Sequence, residues 1–272
     1  MTMMRDGFAQ PRSSAGVVAA AALVFLASHL VAAGSEPLDA YEELLGRYVT
    51  SGGVRYAAWR NASEDIERLD GIVQALSATD PGAIPAPDRH ALYVNLYNAR
   101  TLLLVLEEDP AESIRDLSKP WFAWGVFFKN VIEFDGKQMS LNGLEKRLRR
   151  ESRDPRIHFA LNCASRSCPP LATEAYRGDL LDDQLERMTR AYLRRPGVVV
   201  IEEPAARDRG ARPRLGVSKI FDWFSRDFKE SGGVVAFIER YGPAEVSEAI
   251  AADPERVKLQ YRKYDWRLNS AP

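Results

Sequence analysis

Histidine and cysteine are scarce in this chain: three and two among 272 residues. A zinc site of four Cys or His ligands would need nearly all of them, and they show no paired ligand spacing, so no metal is expected. No calcium-loop pattern appears among the carboxylates, and no cofactor is expected. A basic excess is missing too. The 37 Lys and Arg residues face 38 Asp and Glu, a formal charge of −1. That balance lacks the electrostatic footprint of a nucleic-acid partner. The basic cluster "EKRLRR" (Glu145 to Arg150) reads instead as the solvated face of a helix. Repeats and low-complexity tracts are absent.

One long apolar run is present, "AGVVAAAALVFLASHLVAA" from Ala15 to Ala33, interrupted only by Ser28 and His29. Arg5 and Arg12 precede it, and Val31 and Ala33 put small residues where a signal peptidase reads. Residues 1–33 are therefore predicted to be a signal peptide cleaved before Gly34. Residues 34–272 are predicted to form a single domain that is exported, periplasmic or secreted. The alternative is an uncleaved membrane anchor, since the run is near the lower limit for a bilayer span; contact with a membrane is expected only in that case. Cleavage removes His29 and leaves His90 and His158 with the two cysteines.

The mature region alternates between two hydrophobic periods. Helical spacing marks Leu38 to Thr50, "ASEDIERLDGIVQALSAT", Leu141 to Arg150 after a capping Ser140, and "DLLDDQLERMTRAYLRR". A helix from about Pro87 to Glu107 is apolar nearly all round and should be central. "VRYAAW", Phe127 to Phe134 before the turn "DGK", "IHFAL", "GVVVIEE", "PRLGVS" and the closing "KLQYRKYDWRLN" read as strands. The sum is an α+β domain, many helices around a small, mostly antiparallel sheet.

Several strings are distinctive: "ALYVNLYNA", "DPRIHFALNCASRSCPPL", "LGVSKIFDWFSRDF" and "YDWRLN". Together they resemble the domain of unknown function 547 family over most of the mature chain, from roughly Leu38 to Asn269. The resemblance implies no established activity. In some eukaryotic members a similar domain is joined to glutaredoxin-like or membrane-signalling modules, which points towards thiol chemistry or regulation. Family-typical residues present here include Asn95, Asn98, His158, Asn162, Cys163, Cys168, Lys219, Trp223, Asp227 and Asp265. The chain departs from the pattern at Tyr93, where members often carry tryptophan, and at Lys146, where they often carry histidine.

Several readings of the central stretch stay open, among them a cycling redox pair, although the spacing is not CxxC, and plain free thiols in a buried loop. Read as a strand, "IHFAL" puts His158 and Asn162 on one face with Cys163 at its end. Cys163 could then be a nucleophile with His158 as its base and Asn98, Asn95 or Asp265 as the third member; Asn162 would help hold an oxyanion, in a cysteine-dependent hydrolase or acyl transferase. Alternatively, Cys163 and Cys168 form a disulfide, as an even number of exported cysteines usually does. So short a loop gives about 2 kcal/mol. The polar centre would then bind an unknown small molecule or peptide through Asn95 and Asn162, with Lys219 and Trp223 at its edge. The buried amides of Asn95 and Asn98 have a plainer reading, as braces for neighbouring backbone. Lys219 likewise reads as a helix-start salt bridge or cation–π partner.

Overall fold

Helix α4, Ala86–Glu108, is the axis of the molecule. Pro87 and Asp88 fit its first turn, and its residues from Ala91 to Leu106 are buried except Arg100. A helix apolar on every side can only be stable when other elements surround it. In this computed structural model, which describes residues 36–118, 125–202, 214–252 and 257–271, they do. Of the segment Met1–Pro37 only Glu36 and Pro37 are described, and the predicted signal peptide lies outside the described residues.

The chain opens with α1 (residues 36–48), the two-stranded β1 (Val49–Thr50) and β2 (Gly53–Val54), α2 (Tyr56–Arg60) and α3 (Ser63–Ala78). After α4 come a short 3₁₀ turn (Ile114–Leu117), α5 (Gly125–Phe128), the hairpin β3 (Asn130–Phe134) and β4 (Lys137–Ser140), and α6 (Leu141–Ser152). Ser140 caps α6 by accepting from the Gly143 amide. A second 3₁₀ turn (Pro155–Phe159), α7 (Leu181–Leu193), β5 (Val199–Glu202) and β6 (Arg214–Val217) follow, then α8 (Ile220–Trp223), α9 (Ser225–Glu230), α10 (Val234–Tyr241), α11 (Ala244–Ala252) and β7 (Lys258–Tyr261). The architecture is α+β. Helices dominate, and there are three small sheets rather than one. Pairing is antiparallel in β1–β2, β3–β4 and β5–β6, and parallel in β6–β7. Among the described residues no helix is long and apolar enough to cross a membrane.

Three strand expectations are corrected. "IHFAL" is not a strand: Pro155 presets the first φ, Asp154 caps by accepting from the Arg156 amide, and Ile157 and Ala160 donate three residues back. With no neighbouring strand to pair with among the described residues, a short apolar run takes the local hydrogen bonds. The inference that His158 and Asn162 share a strand face falls with it. "VRYAAW" turns into α2 after Val54, and the stretch predicted as a strand from Phe127 begins as α5, its pairing starting only at Asn130.

Two apolar clusters lie within the compact unit Leu38–Pro272. The larger surrounds α4; the smaller gathers Phe159, Phe221, Phe228 and Phe237. The segment after Asp154 links them. Ile157, Ala160 and Leu161 belong to the first cluster and Phe159 to the second, with Trp266 packed against both. His158 therefore sits at the seam.

Candidate functional site

The asparagines of α4 fix the segment that carries the cysteines. Asn98 Nδ2 donates to the Ala160 carbonyl at 2.9 Å, and the Asn162 amide donates to Asn98 Oδ1 at 2.8 Å. Asn162 extends the brace. Its Nδ2 donates to the Pro169 carbonyl at 2.7 Å, and its Oδ1 accepts from the Ala164 amide at 2.8 Å. Asn95 binds Tyr176 the same way, donating to its carbonyl and accepting from its amide. These amides are satisfied by backbone, as buried polar groups must be. Ala164 adopts a left-handed φ of 59° inside this brace, a conformation that costs a non-glycine residue about 1–2 kcal/mol and needs such support.

The far end of the chain closes the loop. Arg166 and Ser167 donate to the carbonyls of Arg267 and Asp265, and the Asp265 amide donates to Ser167 Oγ. Ser165 bridges Leu268. Tyr264 and Trp266 are thereby delivered beside Cys163 and Trp223: the Tyr264 and Trp266 rings lie tilted with centroids 4.5 Å apart, and Trp223 lies 4.8 Å from Tyr264.

A cavity of about 290 Å³ opens at the seam. Tyr97 of α4, Glu145 of α6, His158, Cys163 and Cys168 meet there with an aromatic wall of Trp223, Phe224, Tyr264 and Trp266. The two sulfurs are in contact at 2.7 Å, as free thiols, and the Cys163 amide donates to Cys168 Sγ. Contact with Cys168 lowers the Cys163 thiol to about 7 against the opposing effect of burial, helped by Ser165 Oγ at 3.1 Å and Tyr264 Oη at 3.6 Å. Burial pushes Cys168 the other way.

His158 does not bond to Cys163. Its Nε2 lies 2.8 Å from Asp227 Oδ2, and its ring stacks on Phe224 at 4.0 Å. Asp227 also takes a bidentate pair of bonds from Arg149, at 2.6 and 3.0 Å. Burial opposes the Asp227 charge, yet the bonds from His158 and Arg149 outweigh it and hold the carboxyl well below its usual range. Burial lowers His158 despite Asp227. The ring is therefore neutral near pH 7, donating from Nε2 and leaving Nδ1 as a basic lone pair. The third partner of the histidine is Asp227, not Asn98, Asn95 or Asp265; Asp265 pairs with Arg267.

Of the residues marked from sequence, the structure brings Cys163, Cys168, His158 and Trp223 to the cavity wall. Asn95, Asn98 and Asn162 stand behind it as braces. Lys219 lies outside it, paired with Asp222 at 2.6 Å and set over the Tyr261 ring. The sequence reading missed Glu145 and Tyr264. Glu145 had a signal: it follows Leu141 by one turn and adjoins Leu144 and Leu148, an acid at the edge of an apolar stripe. Burial, then the charges of Cys163 and Asp227, raise its carboxyl to about 7 against the pull of Arg149. Among the described residues no cluster of three His, Cys, Asp or Glu side chains could hold a metal ion.

A family model, that of proteins of unknown function DUF547, matches residues 83–193. No curated protein and no solved structure matches the chain.

Proposed function

We propose, for a chain whose residues 83–193 belong to the DUF547 family, that it is an exported small-ligand-binding module whose cavity wall is locked by a Cys163–Cys168 disulfide. The observation that carries this reading is the cavity: about 290 Å³, near the lower end of the range for small-molecule sites, apolar on most sides and furnished with a few convergent polar groups. The lock is supported by two sulfurs already in contact in a loop that Asn98 and Asn162 hold in place. Joining them releases two protons and two electrons to the thiol oxidant of an export compartment.

Intact mass after alkylation, with and without prior reduction, tests it. No label before reduction and two labels after it are expected from the mature exported protein, with Gly34 as its first residue. Labels without reduction would overturn the disulfide, and a retained N-terminal segment the export.

A cysteine-dependent hydrolase or acyl transferase is the second reading, favoured by the lowered Cys163 thiol and by the neutral His158 on the same wall. Paired substitutions separate the two. Cys163→Ser and Cys168→Ser cost the same melting temperature if the cysteines are disulfide halves. Loss of turnover in Cys163→Ser alone, without loss of stability, marks a nucleophile.

A further inference from the structure

Glu145 brings a carboxyl group to the aromatic cavity and makes no hydrogen bond among the described residues. Neither lysine nor arginine is among the described residues of the cavity lining. The guanidinium on its own helix that acts on it, Arg149, is bound bidentately to Asp227 and set over the Phe224 ring at 4.7 Å. Glu145 is half-buried, and a cavity that sets an unbonded carboxyl in a mostly aromatic lining suits a cationic hydrogen-bond donor. Trp223 and Trp266 bring aromatic rings to the lining, Trp266 already carrying Arg115 at 5.1 Å from its centroid; Phe224, between His158 and Arg149, adds an apolar edge, and Tyr97 and Tyr264 add hydroxyls.

We infer that the ligand is a small organic amine, its ammonium group donating to Glu145 and its apolar body lying against Trp223, Phe224 and Trp266. This rests on the ligand-binding reading above and names the ligand's class. A neutral ligand would leave the carboxyl unmatched, and an anion would meet it with like charge. Protonation of the unliganded site fits the same picture. Lys146 and Arg149 on α6 favour the ionised carboxyl, while Cys163 and Asp227 oppose it; Tyr97 from α4 and the neutral His158 complete the surroundings. Burial is the largest influence, so the free carboxyl titrates near about 7 and an arriving ammonium expels its proton.

Displacement of the apolar fluorophore N-phenyl-naphthylamine by three compounds of one shape tests the inference: phenethylamine, phenethyl alcohol and hydrocinnamate. The amine should displace the dye at a concentration at least about tenfold lower than the alcohol, as expected for a hydrogen bond to a charged group, and hydrocinnamate should be weakest. In Glu145→Gln the amine's advantage should vanish while the dye still binds. In the unsubstituted protein the advantage should decline as pH falls below about 7. If the alcohol or hydrocinnamate matches the amine, or the preference survives Glu145→Gln, the amine assignment is wrong and the cavity still binds ligands. If the dye does not bind, or binds equally well when Leu161→Trp fills the cavity, the ligand-binding reading fails and the amine assignment with it.

Discussion

His158 and Asp227, 69 positions apart, share a 2.8 Å hydrogen bond between Nε2 and Oδ2. The bond ties the 3₁₀ turn Pro155–Phe159 to α9 and completes the surroundings of a carboxylate already gripped by Arg149. Asp227→Asn takes the counter-charge from Arg149 and should destabilise the protein by about 1–3 kcal/mol in urea titration. Asp227→Ala should cost no less.

Acid should weaken the same arrangement in two stages. His158 has its folded pKa lowered, so its contribution is complete above the unfolded value of about 6.5 and is lost as pH falls below it. Asp227 is also lowered, and its contribution is lost only below about 4, where the unfolded carboxyl protonates. Glu145, raised to about 7 when folded, gains stability over the same first window, so the two falls should be read in Glu145→Gln, where stability should drop first below about 6.5 and again below about 4. In Asp227→Asn the second fall should shrink.

Asn98 makes two buried hydrogen bonds to backbone, at Ala160 and Asn162. Asn98→Leu leaves both groups without partners, at about 1–3 kcal/mol each. A loss of about 2–5 kcal/mol in the urea midpoint analysis is expected. Asn95→Leu should cost a comparable amount through Tyr176, with less effect on the loop that bears the cysteines.

Reduced protein should show unequal thiols. Cys163 is lowered to about 7 and Cys168 is raised. Timed alkylation read by peptide mass should find Cys163 labelled first, its rate levelling off above about pH 7. Tyr264→Phe removes one hydroxyl from beside Cys163 and should move that inflection upward.

Gly53 has φ +124°, and a Cβ there would stand 2.0 Å from the Asn269 carbonyl oxygen. Gly53→Ala combines a disfavoured backbone with a clash and should cost more than about 2 kcal/mol. Because Val54 donates to the Asn269 carbonyl, hydrogen exchange should quicken along residues 264–269 before it quickens in α4.

Local chemistry made part of the site legible in the sequence. The run from Ala91 to Leu106 announces a central helix, and two asparagines on it must find partners; they do, in the backbone of Ala160, Asn162 and Tyr176. The cysteines and His158 stood out by rarity. The role of Asp227 did not, because nothing in its helix shows which distant side chain it meets. The 3₁₀ turn was hidden by "IHFAL", four apolar residues and His158 in an order that reads as a strand, although Asp154 and Pro155 carried the contrary signal. Glu145 was masked by its neighbours: "EKRLRR" looks like a solvated face until the leucines on either side are counted in.

The cavity also has a division of labour along the chain. Glu145, His158 and both cysteines lie within the matched span 83–193, whereas Trp223, Phe224, Tyr264 and Trp266 lie beyond it. Reactive groups and shape-giving groups thus sit on different stretches, joined through Asp227 and Tyr264. Substitutions at Trp223 or Trp266 can redraw what the pocket admits, larger or smaller, flatter or rounder, while Asp227 still holds the imidazole and the two sulfurs keep their contact.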